Sequence, residues 1–113
     1  MSEKDKANIL AIEEGLIKIL NFCEDFTNAQ DFFNDIRTFD AVLMNFVVIG
    51  ESVSRISEDY KAKNTSIDWQ KIKDFRNVVA HDYFGIDPED VWQIIQNHVP
   101  KLQIEINNIL QIE

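Results

Sequence analysis

The chain has 113 residues, 45% of them hydrophobic, and a formal net charge of −9. That length predicts one domain over residues 1–113 and leaves no room for a second core. The apolar content excludes a disordered chain, and the acidic balance argues against tight, unselective binding to phosphate backbones while leaving room for a small local basic site. Three glycines and two prolines encode few turns, which favours long helices over many short strands.

The opening "MSEKDKANIL" is charged early and has no signal-peptide pattern, and no apolar run approaches membrane-spanning length, so the sequence predicts a soluble, cytoplasmic protein with no membrane partner. Ile9, Ile12, Leu16, Ile19, Leu20 and Cys23 recur at spacings of three and four, which predicts an amphipathic helix over about residues 4–25. Cys23 is the single cysteine and lies between Phe22 and Phe26. It cannot form an intramolecular disulfide and reads as a small buried hydrophobe. "TNAQ" has a Thr at the cap, Thr27, and a Gln three residues on, which predicts a short helix through "DFFNDI".

A second long helix is expected from Phe39 to about Tyr60. Val42, Met44, Phe46, Val47, Ile49, Val53 and Ile56 give it an unusually broad apolar face, suited to the centre of a bundle or to packing against a second chain. "KAKNTS" reads as a loop. Asp68 is placed to cap a third long helix from Trp69 to about Asp82, and Gly85 breaks that pattern. Asp87 and Pro88 then open a helix holding Val91, Trp92, Ile94 and Ile95, which Pro100 interrupts or kinks before Leu102, Ile104, Ile106, Ile109 and Leu110 continue it. The predicted fold class is all-α, a bundle of four or five helices.

The chemistry-bearing residues gather in "RNVVAHDYFG", Arg76 to Gly85. Ile72, Phe75 and Val79 form the core stripe of the third long helix, which leaves Arg76, Asn77, His81 and Tyr83 away from the core, facing solvent or another chain. Histidine titrates near neutral pH and can take or give a proton, while the arginine fork suits phosphate oxygens. An Arg and His together suit phosphodiester cleavage, in which the RNA 2′-hydroxyl attacks and Arg stabilises the crowded phosphate. No His/Cys cluster or carboxylate set has metal-ligand spacing, so no metal or cofactor is expected. By spacing alone the same residues also fit an ordinary solvated helix face, and Tyr83 fits a helix-end packing residue.

Arg76, four residues, His81, one residue, Tyr83 is the Arg-x4-His-x-Tyr pattern of HEPN-superfamily ribonucleases. "IGESVSRIS", "IDWQKIKDFRNVVAHDYFGID" and "VWQIIQNHVPKL" resemble the HepT-like toxin family in sequence and order, over roughly residues 39–105. The resemblance implies a helical homodimer that cleaves RNA without a metal, as the toxin of a type VII toxin–antitoxin system. It implies a nucleotidyltransferase antitoxin of the MntA type, which transfers AMP to the motif tyrosine, here Tyr83. It gives Arg76 and His81 as the catalytic pair and Asn77 as a supporting polar residue. A dimer would also bring two His81 side chains to one cleft.

Glu51, in the apolar "VVIGESV", reads as a rim carboxylate or, alternatively, as the partner that orients Arg76 by an ion pair. His98 is expected to face solvent or cap a helix, and Trp69 and Trp92 to anchor the core. The runner-up function is a non-catalytic helical module that binds substrate for, or docks onto, a nucleotidyltransferase. A plain dimeric interaction protein is the third reading.

Overall fold

The computed structural model describes residues 1–112, and the described residues form helices and no strands. The first helix, α1 (Glu3–Cys23), opens at Ser2, whose hydroxyl oxygen accepts a hydrogen bond from the Asp5 N–H at 3.0 Å. Ile9, Ile12, Leu16, Ile19 and Cys23 are buried along one face, the expected stripe. Burial also raises the Cys23 thiol pKa to about 11, so the group stays protonated and inert.

The cap of α2 (Ala29–Asn34) is Asn28 rather than Thr27: its side-chain oxygen accepts from the Asp31 N–H at 2.8 Å. Asn28 also donates to the Asp31 carboxylate at 3.1 Å, a reciprocal bond that Thr27 has no side-chain amide to make. The second long helix, α3 (Ile36–Arg55), begins three residues earlier than expected, because Asp35 caps it through the Thr38 N–H at 3.2 Å. It also ends five residues earlier than expected. Ile56 is extended, and Ser57 caps a separate short helix, α4 (Glu58–Lys63).

The break after α3 is held from a distance. The buried Asp5 carboxylate accepts from the Ser57 N–H at 2.8 Å and the Ser57 hydroxyl at 2.7 Å. Those bonds keep the Asp5 carboxyl below its usual pKa.

Asp68 caps α5 (Trp69–His81) as the sequence predicts, accepting from the Lys71 N–H at 3.0 Å. A single 3-10 turn, Tyr83–Gly85, follows. Asp87 then caps α6 (Pro88–Asn97), and α7 (Val99–Ile112) begins after a break at His98. Pro100 sits in the first turn of α7, where its missing N–H breaks no helical bond. Among the described residues there are thus seven α-helices in place of four or five. The short helix expected through "DFFNDI" is α2, and the extra elements are the six-residue α4 and the split at His98.

One hydrophobic cluster joins the bundle. α3 lies between α1 and α5, α7 packs on α1, and α2 packs on α6. Phe32 meets Trp92 at 5.7 Å and Phe39 at 5.3 Å between ring centroids, and Phe46 meets Phe75 edge-on at 4.9 Å. Trp69 and Trp92 are core residues.

Two glycines let α3 approach both neighbours. A Cβ on Gly15 of α1 would meet Ile49 Cγ1 at 2.8 Å, and a Cβ on Gly50 of α3 would meet Arg76 Cγ at 2.6 Å. A glycine inside a helix costs roughly 1 kcal/mol relative to alanine. At Gly50 the return is that α5 lies directly against α3 at the level of Arg76.

Candidate active site

The seam between α3 and α5 carries most of the sequence-predicted site. The two helices run antiparallel along it, with Glu51 opposite Arg76 and Asp40 opposite Tyr83. Arg76 Nη2 donates to Glu51 Oε1 in an ion pair, and Arg76 Nη1 donates to Asn77 Oδ1 at 3.0 Å. Its Nε is buried without a partner. The Arg76 side chain is 28% exposed and that of Glu51 40%, so the guanidinium is half-embedded with its outer edge in solvent. This corrects the expectation that Arg76 lies clear of the packed side of its helix, because the absence of a Cβ on Gly50 draws its stem into the seam.

His81 is the last residue of α5 and is exposed, with no hydrogen-bond or ion-pair partner among the described residues. It lies five residues beyond Arg76, about 7.5 Å along the helix axis, and about 140° around it. Arg76 therefore faces the seam while His81 faces outward. Asn77, exposed, stands one turn before His81.

Tyr83 is half-buried, and its hydroxyl donates to the Asp40 carboxylate of α3. That hydrogen bond raises the phenol pKa, with burial and the carboxylate charge acting in the same direction. The turn that presents Tyr83 uses Gly85 for space rather than for a left-handed backbone: no glycine has positive φ, and a Cβ on Gly85 would meet Asp82 Cγ at 2.7 Å. Phe84 beside it is 98% exposed.

Sequence reasoning missed Asp40. The signal for it was present: Asp40 and Glu51 are the only carboxylates in α3, and eleven residues bring them back to nearly the same side of a helix. Each engages one motif residue. The apolar surface left on the same side of α3 is Met44, 61% exposed, and Val48, 44% exposed.

Elsewhere, a mainly apolar pocket of about 250 Å³ lies between α5 and the α6–α7 corner, lined by Phe46, Ile49, Phe75, Ile94 and Leu102, with His98 on its wall. It contains no residue of the motif. Among the described residues, no group of three or more His, Cys, Asp or Glu could hold a metal ion, and no helix is long and apolar enough to cross a membrane.

The ribonuclease HepT-like family matches residues 12–109, which takes in the whole α3–α5 seam and the motif. The chain belongs to the HepT-like ribonuclease family. It is 35% identical over 112 residues to a Methanocaldococcus jannaschii protein, MJ0127, named as a candidate RNase, a match covering 98% of this chain and 92% of that one. A second protein of that organism, MJ1380, also named as a candidate RNase, is 32% identical over 94% of this chain and 97% of its own length. A Thermococcus cleftensis protein named as a candidate ribonuclease HepT is 29% identical over 80% of this chain and 84% of its own. No solved structure matches significantly. The HepT-like enzyme is thus, by family, an endoribonuclease, and RNA is its class of substrate.

Proposed function

We propose that this HepT-like chain is one domain, residues 1–113, acting as a metal-independent endoribonuclease toxin in the cytoplasm, with Arg76 and His81 as the catalytic pair. The observation that carries this reading is the α3–α5 seam. It holds Arg76 by Glu51 with its outer edge in solvent, while His81, one and a half turns on, is left with no internal partner.

In the reaction the 2′-oxygen of a ribose attacks the adjacent phosphorus as its hydroxyl proton is removed. The bond to the 5′-oxygen of the next nucleotide breaks, and that oxygen takes a proton. Arg76 offers N–H donors to the non-bridging oxygens, where charge builds as the phosphorus becomes five-coordinate. Glu51 acts as a positioning residue that keeps the fork at the surface, and Asn77 holds its other arm. His81 exchanges the proton. One imidazole does not serve both sides of the phosphorus at once. A homodimer, with a His81 from each chain at one cleft, completes the acid–base pair, and the exposed Met44 and Val48 supply an apolar surface for it.

The same reading includes regulation by an MntA-type nucleotidyltransferase antitoxin that transfers AMP to Tyr83. The Tyr83 hydroxyl, by Asp40, lies about 16 Å along α3 from the Glu51 that holds Arg76, so an added AMP would act by filling the RNA path along the seam rather than by pairing with the guanidinium. Two experiments test the proposal. Induction in a bacterial host of wild type beside His81→Ala should degrade cellular RNA only with the wild type. Intact-mass measurement after co-expression with a cognate nucleotidyltransferase should show one or more AMP units on Tyr83. An unmodified Tyr83 in a neutralised complex would mean inhibition by binding alone.

A further inference from the structure

The chain has three arginines, Arg37, Arg55 and Arg76. Arg76 is in the seam, and the other two lie on α3, whose charged residues are Arg37, Asp40, Glu51 and Arg55. At 100° per residue all four fall within about 60° of one azimuth, and Arg37 and Arg55, eighteen residues apart, are five full turns apart and superpose. That azimuth borders α5, because Asp40 reaches Tyr83 and Glu51 reaches Arg76. The two carboxylates are thus engaged by the motif. The two arginines are exposed and have no ion-pair or hydrogen-bond partner among the described residues, in a chain with 20 acidic side chains to choose from.

Their positions bracket the motif. Arg55 stands one turn beyond Glu51, at the Arg76 end of the seam, and Arg37 stands about one turn before Asp40, at the Tyr83 end. The distance between them along α3 is about 27 Å, enough for several nucleotides of single strand. A chain with net charge −9 repels RNA at long range, so its affinity has to come from local contacts in which a fixed cation meets a phosphate at short distance.

We infer that Arg37 and Arg55 are substrate-positioning residues that hold RNA phosphates on either side of the scissile one and set the direction in which a single strand runs along the α3–α5 seam, beyond either end of the Met44–Val48 surface that lies between them. They act in binding and not in the chemical step: Arg55 lies beyond Glu51 and Arg37 beyond Asp40, so both stand outside the span of the motif along α3. This rests on the reading of Arg76 and His81 as the cleaving pair, and its test is separable from that reading.

The full chain is assayed on a short single-stranded RNA, with KM and kcat followed across a series of salt concentrations. Arg37→Gln and Arg55→Gln are each expected to raise KM several-fold, to leave kcat within about two-fold, and to reduce the slope of log KM against log salt by about 0.7, the value for one phosphate contact on a single strand. Arg37→Lys and Arg55→Lys should restore most of the slope, because they keep the charge. Lys6→Gln, an exposed cation on α1, should change nothing and controls for net charge. Binding of the same RNA is also measured in a His81→Ala background, and light scattering is run on every variant.

Unchanged KM and slope in both glutamine variants of a cleaving protein would overturn the inference, as would an equal effect of Lys6→Gln. A KM change that tracks loss of self-association would overturn it too, assigning the arginines to a protein interface. RNA binding that shows the arginine-dependent slope, without cleavage by the wild type, would leave the inference standing and remove the cleaving pair instead. Failure to bind the RNA at all would remove both.

Discussion

At the scale of single residues, each motif side chain on the α3–α5 seam has a carboxylate partner on α3, and the two partnerships differ in chemistry. Glu51 faces a permanent cation, so their ion pair is a matter of aim rather than protonation. Asp40 faces a titratable phenol, and a carboxylate that accepts a hydrogen bond from the Tyr83 hydroxyl stabilises the neutral tyrosine. The sign follows from linkage. A folded-state pKa raised above the ordinary tyrosine value gives stability that is fully present below that value and is lost as pH rises through the raised one. The chain has two tyrosines, so an ultraviolet titration resolves them. Asp40→Asn should lower the Tyr83 transition toward the ordinary value, and a titration curve identical to wild type would show that the Asp40 contact does not form in solution. The Arg-x4-His-x-Tyr spacing was legible in the sequence because its residues are close in the chain. The partnership of Tyr83 with Asp40, 43 residues away, was not, since no local period encodes which helices become neighbours.

At the scale of elements, the seam depends on how closely α5 approaches α3. Gly50 sets that approach, since a Cβ there would overlap the Arg76 stem. Gly50→Ala should cost about 1–3 kcal/mol through overpacking and should also weaken RNA cleavage, because relief of the clash moves Arg76 away from Glu51. Thermal unfolding beside an activity assay checks both, and a variant with wild-type stability and rate would show that the helices have slack. The end of α3 rests on Asp5, which accepts two hydrogen bonds from Ser57, the residue whose hydroxyl oxygen caps α4. Its pKa is lowered, so the stability it gives is present above the ordinary carboxylate range and is lost as pH falls through the lowered value. Asp5→Asn should cost about 1–2 kcal/mol near neutral pH and flatten the acid limb of the stability curve, measured by denaturant unfolding across pH. The same contact explains the misplaced end of the second long helix. The apolar pattern continues through Ile56 to Tyr60 and reads as one helix, and the break is set by a carboxylate 52 residues upstream. The caps at Asp68 and Asp87 were legible because a cap is local, whereas Asn28 beside Thr27 left a choice between two adjacent cap residues that spacing alone does not make.

At the scale of the whole molecule, the seam supplies Arg76 from an ordered, half-embedded position and leaves His81 with nothing to act on inside its own chain. The proposed dimer answers both that and the exposure of Met44 and Val48. Met44→Asp should shift the protein to monomers by light scattering and reduce cleavage in step, with little effect on the fold of each chain, because the side chain is 61% exposed. A dimer that persists through this change would place its interface elsewhere. The central claim is that Arg76 and His81 cut RNA without a metal. It is tested most directly by incubating the purified chain with single-stranded RNA in excess chelator, wild type beside His81→Ala. Cleavage by the wild type, undiminished by the chelator and absent from a folded His81→Ala, is the expected result. Cleavage that the chelator stops and added Mg²⁺ restores, or cleavage that survives in His81→Ala, would contradict it.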